Sequence, residues 1–207
     1  MNHPEVTDQA LSILRSGENF QWYIMMGLAF VAYVYFTEIR NGNWKVVAAG
    51  FSYYMVHWFV EIVNGLIQHF SGHALWTVPS GTSFLLLIGV GVELSLMFMV
   101  SGLALSKLLP DDPKLKVFGI NNRILYVVAN AAFYSIFEIF LVKTPAFAWV
   151  YPWWGAFPVF ITVYIPFFAV SAWCHDAQPA TQRRVILSLF LLNAAMLSVF
   201  GSFLKWI

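Results

Sequence analysis

The sequence has little of what a water-soluble enzyme needs. Only 10% of its 207 residues are charged, whereas 60% are hydrophobic. The single cysteine, Cys174, excludes an internal disulfide and any Cys-x-x-Cys pair for metal or redox chemistry. A net charge of +1 does not indicate a nucleic-acid-binding protein, so no nucleic-acid partner is expected. This composition is typical of a membrane protein.

Six apolar stretches are each long enough, at about 20 residues, to cross a hydrocarbon core of ~30 Å. Lipid cannot satisfy backbone hydrogen bonds, so each stretch is expected to be helical. We therefore predict an all-α, polytopic membrane protein: a bundle of six transmembrane helices in residues 20–207, after a short N-terminal interfacial helix in residues 1–19. The predicted spans are 20–38, 46–68, 83–106, 123–143, 155–174 and 185–205.

The basic residues predict an orientation. Eight of the eleven Lys and Arg residues lie in the connections after the first, third and fifth predicted spans. Because basic residues concentrate in cytoplasmic loops, both termini are expected on the non-cytoplasmic side. The connections at the opposite end of the bundle are rich in Trp, Tyr and Pro.

A short motif occurs twice. The second predicted span reads "HWFVEI" and continues to "WTVP", and the fourth reads "YSIFEI" and continues to "WVYP". The copies place Glu61 before Trp76 and Glu138 before Trp149. A duplication of helix pairs explains this pattern, and a chance match of aromatic-rich interfaces is the alternative.

Polar side chains follow one face of the second span, where His57, Glu61, Asn64 and Gln68 are spaced 4, 3 and 4 residues apart. The third span adds Glu93. The fourth adds a run at intervals of four, which consists of Asn130, Tyr134 and Glu138.

A carboxylate near the bilayer centre costs about 2.5–3.5 kcal/mol, and no Lys or Arg lies away from the span ends, deep in the membrane, to neutralise one. We therefore expect some of the three glutamates to be protonated, with His57 as a hydrogen-bond partner. Such a group can donate a proton to an apolar molecule.

Other interpretations remain open at this point. The glutamates could act only as hydrogen-bond clamps between helices, and Glu138 lies close enough to the end of its span for Lys143 to pair with it. A single metal ion held by His57, Glu61 and Glu93 is chemically compatible with the residue types, although one histidine is a sparse ligand set. A bis-histidine haem would need a second deep histidine, which the spans lack.

The stretch "HWFVEIVNG", from His57 to Gly65, resembles two families of helical membrane enzymes. Emopamil-binding-protein-like (EXPERA) sterol isomerases carry His-x-x-x-Glu on their second helix and a further Glu on the third, which Glu93 matches. Integral-membrane terpene cyclases carry a Trp and a Glu in a similar run. The resemblance implies a common chemistry. In both families, acids protonate an alkene or epoxide and aromatic rings stabilise the resulting cation.

We therefore predict an enzyme that uses proton transfer to isomerise or cyclise a lipophilic, isoprenoid or sterol-like substrate, with no cofactor and no metal. His57, Glu61 and Glu93 are the expected catalytic residues. Substrate-binding roles are expected for Trp58, Asn64, Asn130, Tyr134 and Glu138. The alternative is a non-enzymatic subunit of a membrane complex or a lipid-binding protein, with membrane lipids, a second copy or another chain as partner.

Overall fold

The structure is a computed structural model that describes residues 4–207. Residues 1–3 of the predicted N-terminal segment lie outside the described residues. The chain is mostly helical, with three small two-stranded sheets in its connections. The α-helices are α1 (Pro4–Ile13), α2 (Tyr23–Arg40), α3 (Trp44–Ser71), α4 (Val92–Ser106), α5 (Asn122–Leu141), α6 (Ala156–Val159), α7 (Ile165–Asp176) and α8 (Pro179–Met196). The strands are β1 (Trp76–Thr77), β2 (Leu85–Leu87), β3 (Val90–Gly91), β4 (Lys116–Val117), β5 (Ile120–Asn121) and β6 (Ala148–Trp149).

Four helices are long and apolar enough to cross a membrane. They are α3, α5, the continuous helix over Ala156–Asp176, and the helix over Pro179–Phe203. The expected membrane protein is therefore confirmed in its broad class, whereas the count of six spans is not. The helix α4 has only 15 residues, and α2 has 18.

The prediction of a continuous helix over residues 83–106 is wrong in its first part. Residues 85–91 form the β2–β3 hairpin, and the helix begins at Val92. This apolar run is buried by protein, and periodicity alone cannot distinguish a buried strand from a buried helix. The hairpin brings Gly89 against the side chains of α3.

Two prolines shape the fifth predicted span. The residues Phe160–Tyr164 form a π-helical turn between Pro158 and Pro166. Proline has no N–H for the helical ladder, and its ring displaces the carbonyl group one turn earlier. The helix therefore continues from α6 to α7 with a local widening, and Tyr164 and Phe167 are buried.

The core lies between α3, α4, α5 and α7 and is built mainly from aromatic rings. Tyr53, Phe98, Phe167 and Phe168 are all buried and lie in edge or tilted contacts with one another. A methyl group at Gly102 would lie 3.0 Å from the Gly50 carbonyl oxygen, so small residues allow α3 and α4 to pack closely. Large apolar side chains on α2, α5 and α8 face outward, as expected of a surface in contact with lipid.

The basic residues of the connections after the first, third and fifth predicted spans lie at one end of the bundle, which we call the basic end. There Lys107 at the end of α4 donates to Glu38 at the end of α2 over 2.6 Å, and Arg123 at the start of α5 pairs with Asp176 at the end of α7. The other end holds the short sheets β1–β6 and β2–β3, and we call it the tryptophan end. The helix α1 packs there, where the Arg15 N–H donates to the Leu85 carbonyl oxygen at 3.0 Å.

Candidate functional site

An apolar cavity lies inside the bundle toward the tryptophan end. It is lined by residues from α3, α4, α5, the π-helical turn and α7, together with Gly89 and Trp76. Its wall includes two carboxyl groups and one imidazole, which belong to Glu61, Glu138 and His57. No Lys or Arg lies among the lining residues in the described part of the chain.

The carboxyl group of Glu61 has few partners. Its side chain is on α3, and only 5% of Glu61 is exposed. The Trp76 indole Nε1–H donates to Glu61 Oε1 at 3.3 Å, whereas Oε2 has no hydrogen-bond partner among residues 4–207. The sequence spacing placed His57 beside it correctly, but His57 Nδ1 lies 3.9 Å from Oε1, beyond hydrogen-bonding distance. His57 instead stacks on Phe98, with the ring centroids 4.2 Å apart.

The carboxyl group of Glu138 is held more firmly. The Trp149 indole Nε1–H donates to its Oε2 at 3.0 Å, and the Tyr164 hydroxyl donates to its Oε1 at 2.5 Å. Lys143 lies over the Phe140 ring, so the alternative of a Glu138–Lys143 ion pair is not what the structure contains. Glu138, which the sequence suggested only as a substrate contact, is thus a full member of the acidic site.

The two carboxyl groups share the same construction. Trp76 and Trp149 are direct partners in the antiparallel sheet β1–β6, and each donates its indole N–H to the glutamate of its own motif copy. The repeat visible in the sequence therefore corresponds to two Glu–Trp pairs that meet at this sheet. Both glutamates line the same cavity.

Glu93 lies outside this cavity. Its side chain accepts hydrogen bonds from the Tyr23 hydroxyl, from Thr82 Oγ1 at 2.5 Å and from the Ser83 backbone N–H at 2.7 Å. It therefore ties the first turn of α4 to the preceding loop and to the start of α2. Glu61 and Glu93, both expected as catalytic residues of one site, therefore do not line a common cavity, and Glu61 shares its cavity with Glu138 instead. The Glu93 side chain is bound by Thr82 and Ser83 of the loop before the β2–β3 hairpin, whereas the next residue, Leu94, lines the cavity.

Metal binding by the three residues named from the sequence is not supported by this geometry. Among residues 4–207, no group of three or more His, Cys, Asp or Glu side chains lies close enough together to hold a metal ion.

Of the remaining predicted site residues, one lines the cavity and the others make contacts that hold the surrounding chain in place. Tyr134 lines the cavity. Asn64 donates from Nδ2 to the Trp76 carbonyl oxygen at 2.9 Å and accepts from the Leu75 N–H at 2.8 Å, so it fixes the chain that carries Trp76. Asn130 donates to the Tyr126 carbonyl oxygen at 2.8 Å within its own helix, and Trp58 packs beside His57 without lining the cavity.

Three residues that donate hydrogen bonds to the two glutamates were missing from the predicted set, namely Trp76, Trp149 and Tyr164. The two tryptophans belong to the Trp-x-x-Pro part of the repeated motif, so the signal was present in the sequence. Tyr164 carries no comparable signal, because only the tertiary structure brings its helix against α5.

The free space in the cavity is small. The volume open to the centre of a water-sized molecule is about 30 Å³, enough for a small number of waters. Larger occupants need movement of the surrounding rings, of which Phe98, Tyr134 and Phe167 are the largest.

Comparisons with known proteins agree with the membrane class. A family model described as "Uncharacterized membrane protein family" matches residues 4–202. A protein of Archaeoglobus fulgidus, named "Uncharacterized protein", is 39% identical over 208 residues, which cover 98% of this chain and 99% of that protein. No solved structure matches the chain. Neither the family description nor the Archaeoglobus fulgidus protein links the chain to the sterol isomerases or terpene cyclases that its second span resembles. The chain therefore belongs to the membrane protein family whose model spans residues 4–202.

Proposed function

We propose that the protein is a membrane-embedded acid–base enzyme that isomerises or cyclises a lipophilic, isoprenoid or sterol-like substrate. The observation that carries the proposal is the pair Glu61 and Glu138, which face one apolar cavity with no lining cation in the described chain. Buried carboxylates without a cation are costly, by several kcal/mol each, and such pairs are typical of sites that exchange protons.

The hydrogen bonds suggest different roles for the two acids. Glu138 accepts two hydrogen bonds, an arrangement suited to an anionic carboxylate. Glu61 accepts one long hydrogen bond and leaves Oε2 free at the cavity wall, an arrangement suited to a protonated acid with an O–H available to a ligand. We assign Glu61 as the proton donor and Glu138 as the acceptor.

In this mechanism Glu61 adds its proton to one carbon of an alkene and leaves a cation on the neighbouring carbon. The carboxylate of Glu138 then removes a proton from the carbon on the other side, which shifts the double bond. Phe98, Tyr134 and Phe167 line this space, and a ring that turns its face to the cation would stabilise it by about 0.5–2 kcal/mol. The role of Glu93 as a further catalytic carboxylate stays a prediction, and its position favours a positioning role.

The membrane arrangement is part of the proposal. We infer that α2 and α4 complete six membrane-inserted segments and that the basic end faces the cytoplasm, which places both termini on the opposite side. A lipophilic substrate would then enter from the bilayer.

A second candidate function is a non-enzymatic subunit or lipid-binding protein. Two observations favour it. The cavity has free space for only a small number of waters, and the helix over Pro179–Phe203 is only 6% buried in its apolar window, which leaves a long face for a lipid, a second copy or another membrane protein.

The test measures solvent deuterium incorporated into lipids. Purified protein in vesicles is incubated with a lipid extract of its native membrane in D₂O, and the lipids are analysed by mass spectrometry. The enzyme should place deuterium on carbon in one lipid class. Glu61→Gln and Glu138→Gln should each lower the rate at least about 100-fold, the usual contribution of a general acid or base. Glu18→Gln, at an exposed carboxyl group, is the matched control.

The outcomes separate the two candidates. Deuterium incorporation that is absent, or that is the same in Glu61→Gln, Glu138→Gln and the control, contradicts the enzyme. Glu93→Gln shows whether the third carboxyl group takes part. A variant that unfolds is identified by its elution profile in detergent, and Glu→Asp at the same position then replaces it.

A further inference from the structure

A groove opens at the basic end of the bundle, between the end of α2, the start of α3 and the first two turns of α8. We call it the basic groove, and its wall includes Trp44, Lys45, Phe51, Arg183 and Ile186. Its volume open to the centre of a water-sized molecule is about 520 Å³, within the ~300–1,000 Å³ that small-molecule sites occupy. The basic groove shares no lining residue with the acidic cavity, so it is a separate site.

The inner part of the basic groove is apolar. Val47, Ala48 and Phe51 of α3 line it on one side, and Ile186 of α8 lines it on the other. Phe51 is six residues beyond Lys45 in the same helix, so this wall extends by about 9 Å from the level of Lys45 toward the middle of the bundle. No Asp or Glu of residues 4–207 lines the groove. An apolar wall of this kind fits a hydrocarbon chain rather than a polar solute.

Two cationic side chains line the same groove and lack an anionic partner. Lys45 and Arg183 are both exposed. Within the described part of the chain, neither forms an ion pair or a side-chain hydrogen bond. The basic groove therefore carries two positive charges that the protein itself does not neutralise.

Other basic residues at this end have anionic partners within the protein. Lys107 Nζ donates to Glu38 Oε1 at 2.6 Å, and Arg123 Nη2 donates to Asp176 Oδ1 at 2.6 Å. These two ion pairs join neighbouring helices, which is a structural role. The two cations of the basic groove have no such role, so their charges are available to a ligand.

The position of the groove along the bundle matches the boundary between lipid headgroups and acyl chains. The helix α3 and the helix over Pro179–Phe203 are both long and apolar enough to cross a membrane, and both begin at the basic end. Tryptophan and basic residues concentrate at the headgroup level of such helices. Trp44, the first residue of α3, is 59% exposed there. Lys45 and Arg183 are therefore expected at the level of the lipid phosphates, with the apolar wall beside the acyl chains.

The start of α8 is held in place without any ligand. Gln182, which is 6% exposed, donates from Nε2 to the Cys174 carbonyl oxygen at 2.9 Å and so joins α8 to the end of α7. The backbone that carries Arg183 is thus fixed next to the groove. A site with a fixed backbone loses less conformational freedom when it binds a ligand.

We propose that the basic groove binds one anionic phospholipid, with its phosphate between Lys45 and Arg183 and an acyl chain along Phe51 and Ile186. Ammonium and guanidinium groups form charge-assisted hydrogen bonds with phosphate oxygens, and basic pockets between membrane helices bind anionic headgroups. A second copy of this chain fits less well, because a two-fold packing on this groove brings the same cations of both copies to one level. The proposal goes beyond the acid–base function and does not depend on it.

The test counts the lipids bound to the purified protein by native mass spectrometry. Protein in detergent is titrated with phosphatidylglycerol, which is anionic, or with phosphatidylcholine of the same acyl chains, which has no net charge. The affected variant is Lys45→Gln combined with Arg183→Gln. The matched control is Lys114→Gln combined with Lys116→Gln, because both lysines are exposed in the α4–α5 connection and the change in net charge is the same.

Wild type should bind phosphatidylglycerol more tightly than phosphatidylcholine. The variant without the two groove cations should bind phosphatidylglycerol about 30-fold more weakly, which corresponds to about 2 kcal/mol for two cations. The control should keep the wild-type affinity. Lys45→Gln or Arg183→Gln alone should weaken binding about fivefold, and either decides the question if the combined variant does not fold.

Three results would overturn the proposal. The first is equal affinity for the two lipids in wild type, and the second is the same loss of affinity in the control as in the groove variant. The third comes from glycerol 1-phosphate, which carries the phosphate without acyl chains. Binding of glycerol 1-phosphate as tightly as phosphatidylglycerol would identify a free phosphate ester, rather than a lipid, as the occupant. None of these results bears on deuterium incorporation at Glu61 and Glu138, so the enzyme proposal is tested separately.

Discussion

The most direct test of the acidic site is the substitution Gly89→Ala, which adds a single methyl group. This glycine lies between β2 and β3, with its Cα against the carboxyl group of Glu61. A Cβ atom there would contact Trp76 Nε1 and would lie 2.5 Å from Asn64 Nδ2 and 2.6 Å from Glu61 Oε2. All three are far inside van der Waals distance, so Gly89→Ala must displace the side chains that shape the site.

The expected cost follows from two effects. Overpacking of a closed core costs about 1–3 kcal/mol. Separation of the Trp76–Glu61 hydrogen bond leaves a buried donor without its acceptor, which costs about 1–3 kcal/mol more. Replacement of glycine restricts the unfolded chain and offsets about 0.4–1 kcal/mol. The net loss in the free energy of unfolding is therefore about 1–5 kcal/mol.

The measurement is thermal unfolding of the purified protein in detergent, followed by intrinsic tryptophan fluorescence. A loss of 1 kcal/mol lowers the midpoint by about 2–4 °C in a chain of this size. Gly17→Ala is the matched control, because a Cβ atom at Gly17 meets nothing within 4 Å. We expect a clear fall for Gly89→Ala and none for Gly17→Ala. Equal midpoints for the two variants, with unchanged deuterium incorporation, would refute the assigned contact between the hairpin and Glu61.

Two further predictions concern Trp149 and the orientation of the protein in the membrane. Trp149→Phe keeps an aromatic ring but removes the donor to Glu138, so the free energy of unfolding should fall by about 1–3 kcal/mol. Trp153→Phe, at a side chain 62% exposed, is its control, and equal unfolding midpoints would contradict the role of the indole N–H. In a Cys174→Ser background, Trp153→Cys should react with a membrane-impermeant thiol reagent on intact cells, whereas Phe118→Cys should react only after lysis. The reverse labelling would contradict a cytoplasmic basic end.

The local sequence pattern was sufficient to predict the helical class and the half of the site that α3 contributes. The length and apolarity of the spans predict membrane helices because a lipid environment leaves the backbone no other common solution. His57 and Glu61 are four residues apart on α3, so their proximity follows from helix geometry alone. The Glu–Trp repeat was also visible, although its meaning was not, since each tryptophan lies 11 or 15 residues beyond its glutamate.

The second carboxyl group of the site, that of Glu138, could not be identified from local sequence pattern. Glu93 and Glu138 are both single acids in apolar surroundings, and the motif that Glu138 shares with Glu61 does not by itself say that its two copies meet. The distinction comes from the tertiary structure, in which the β2–β3 hairpin replaces the first part of the expected third span and Glu93 binds Thr82 and Ser83. Because a buried apolar strand and a buried apolar helix have similar compositions, this change was not predictable from the pattern of residues.

By itself, the sequence determined that the chain enters a membrane as helices and that acids occupy positions where charge is expensive, because both properties follow from composition and the helical repeat. The tertiary structure decided which acids meet, since the distance between Glu61 and Glu138 depends on how α3 and α5 are joined through the paired strands of Trp76 and Trp149. Contacts between residues far apart in the chain arise from the packing of whole elements, and that packing is set by many side chains together rather than by any single motif.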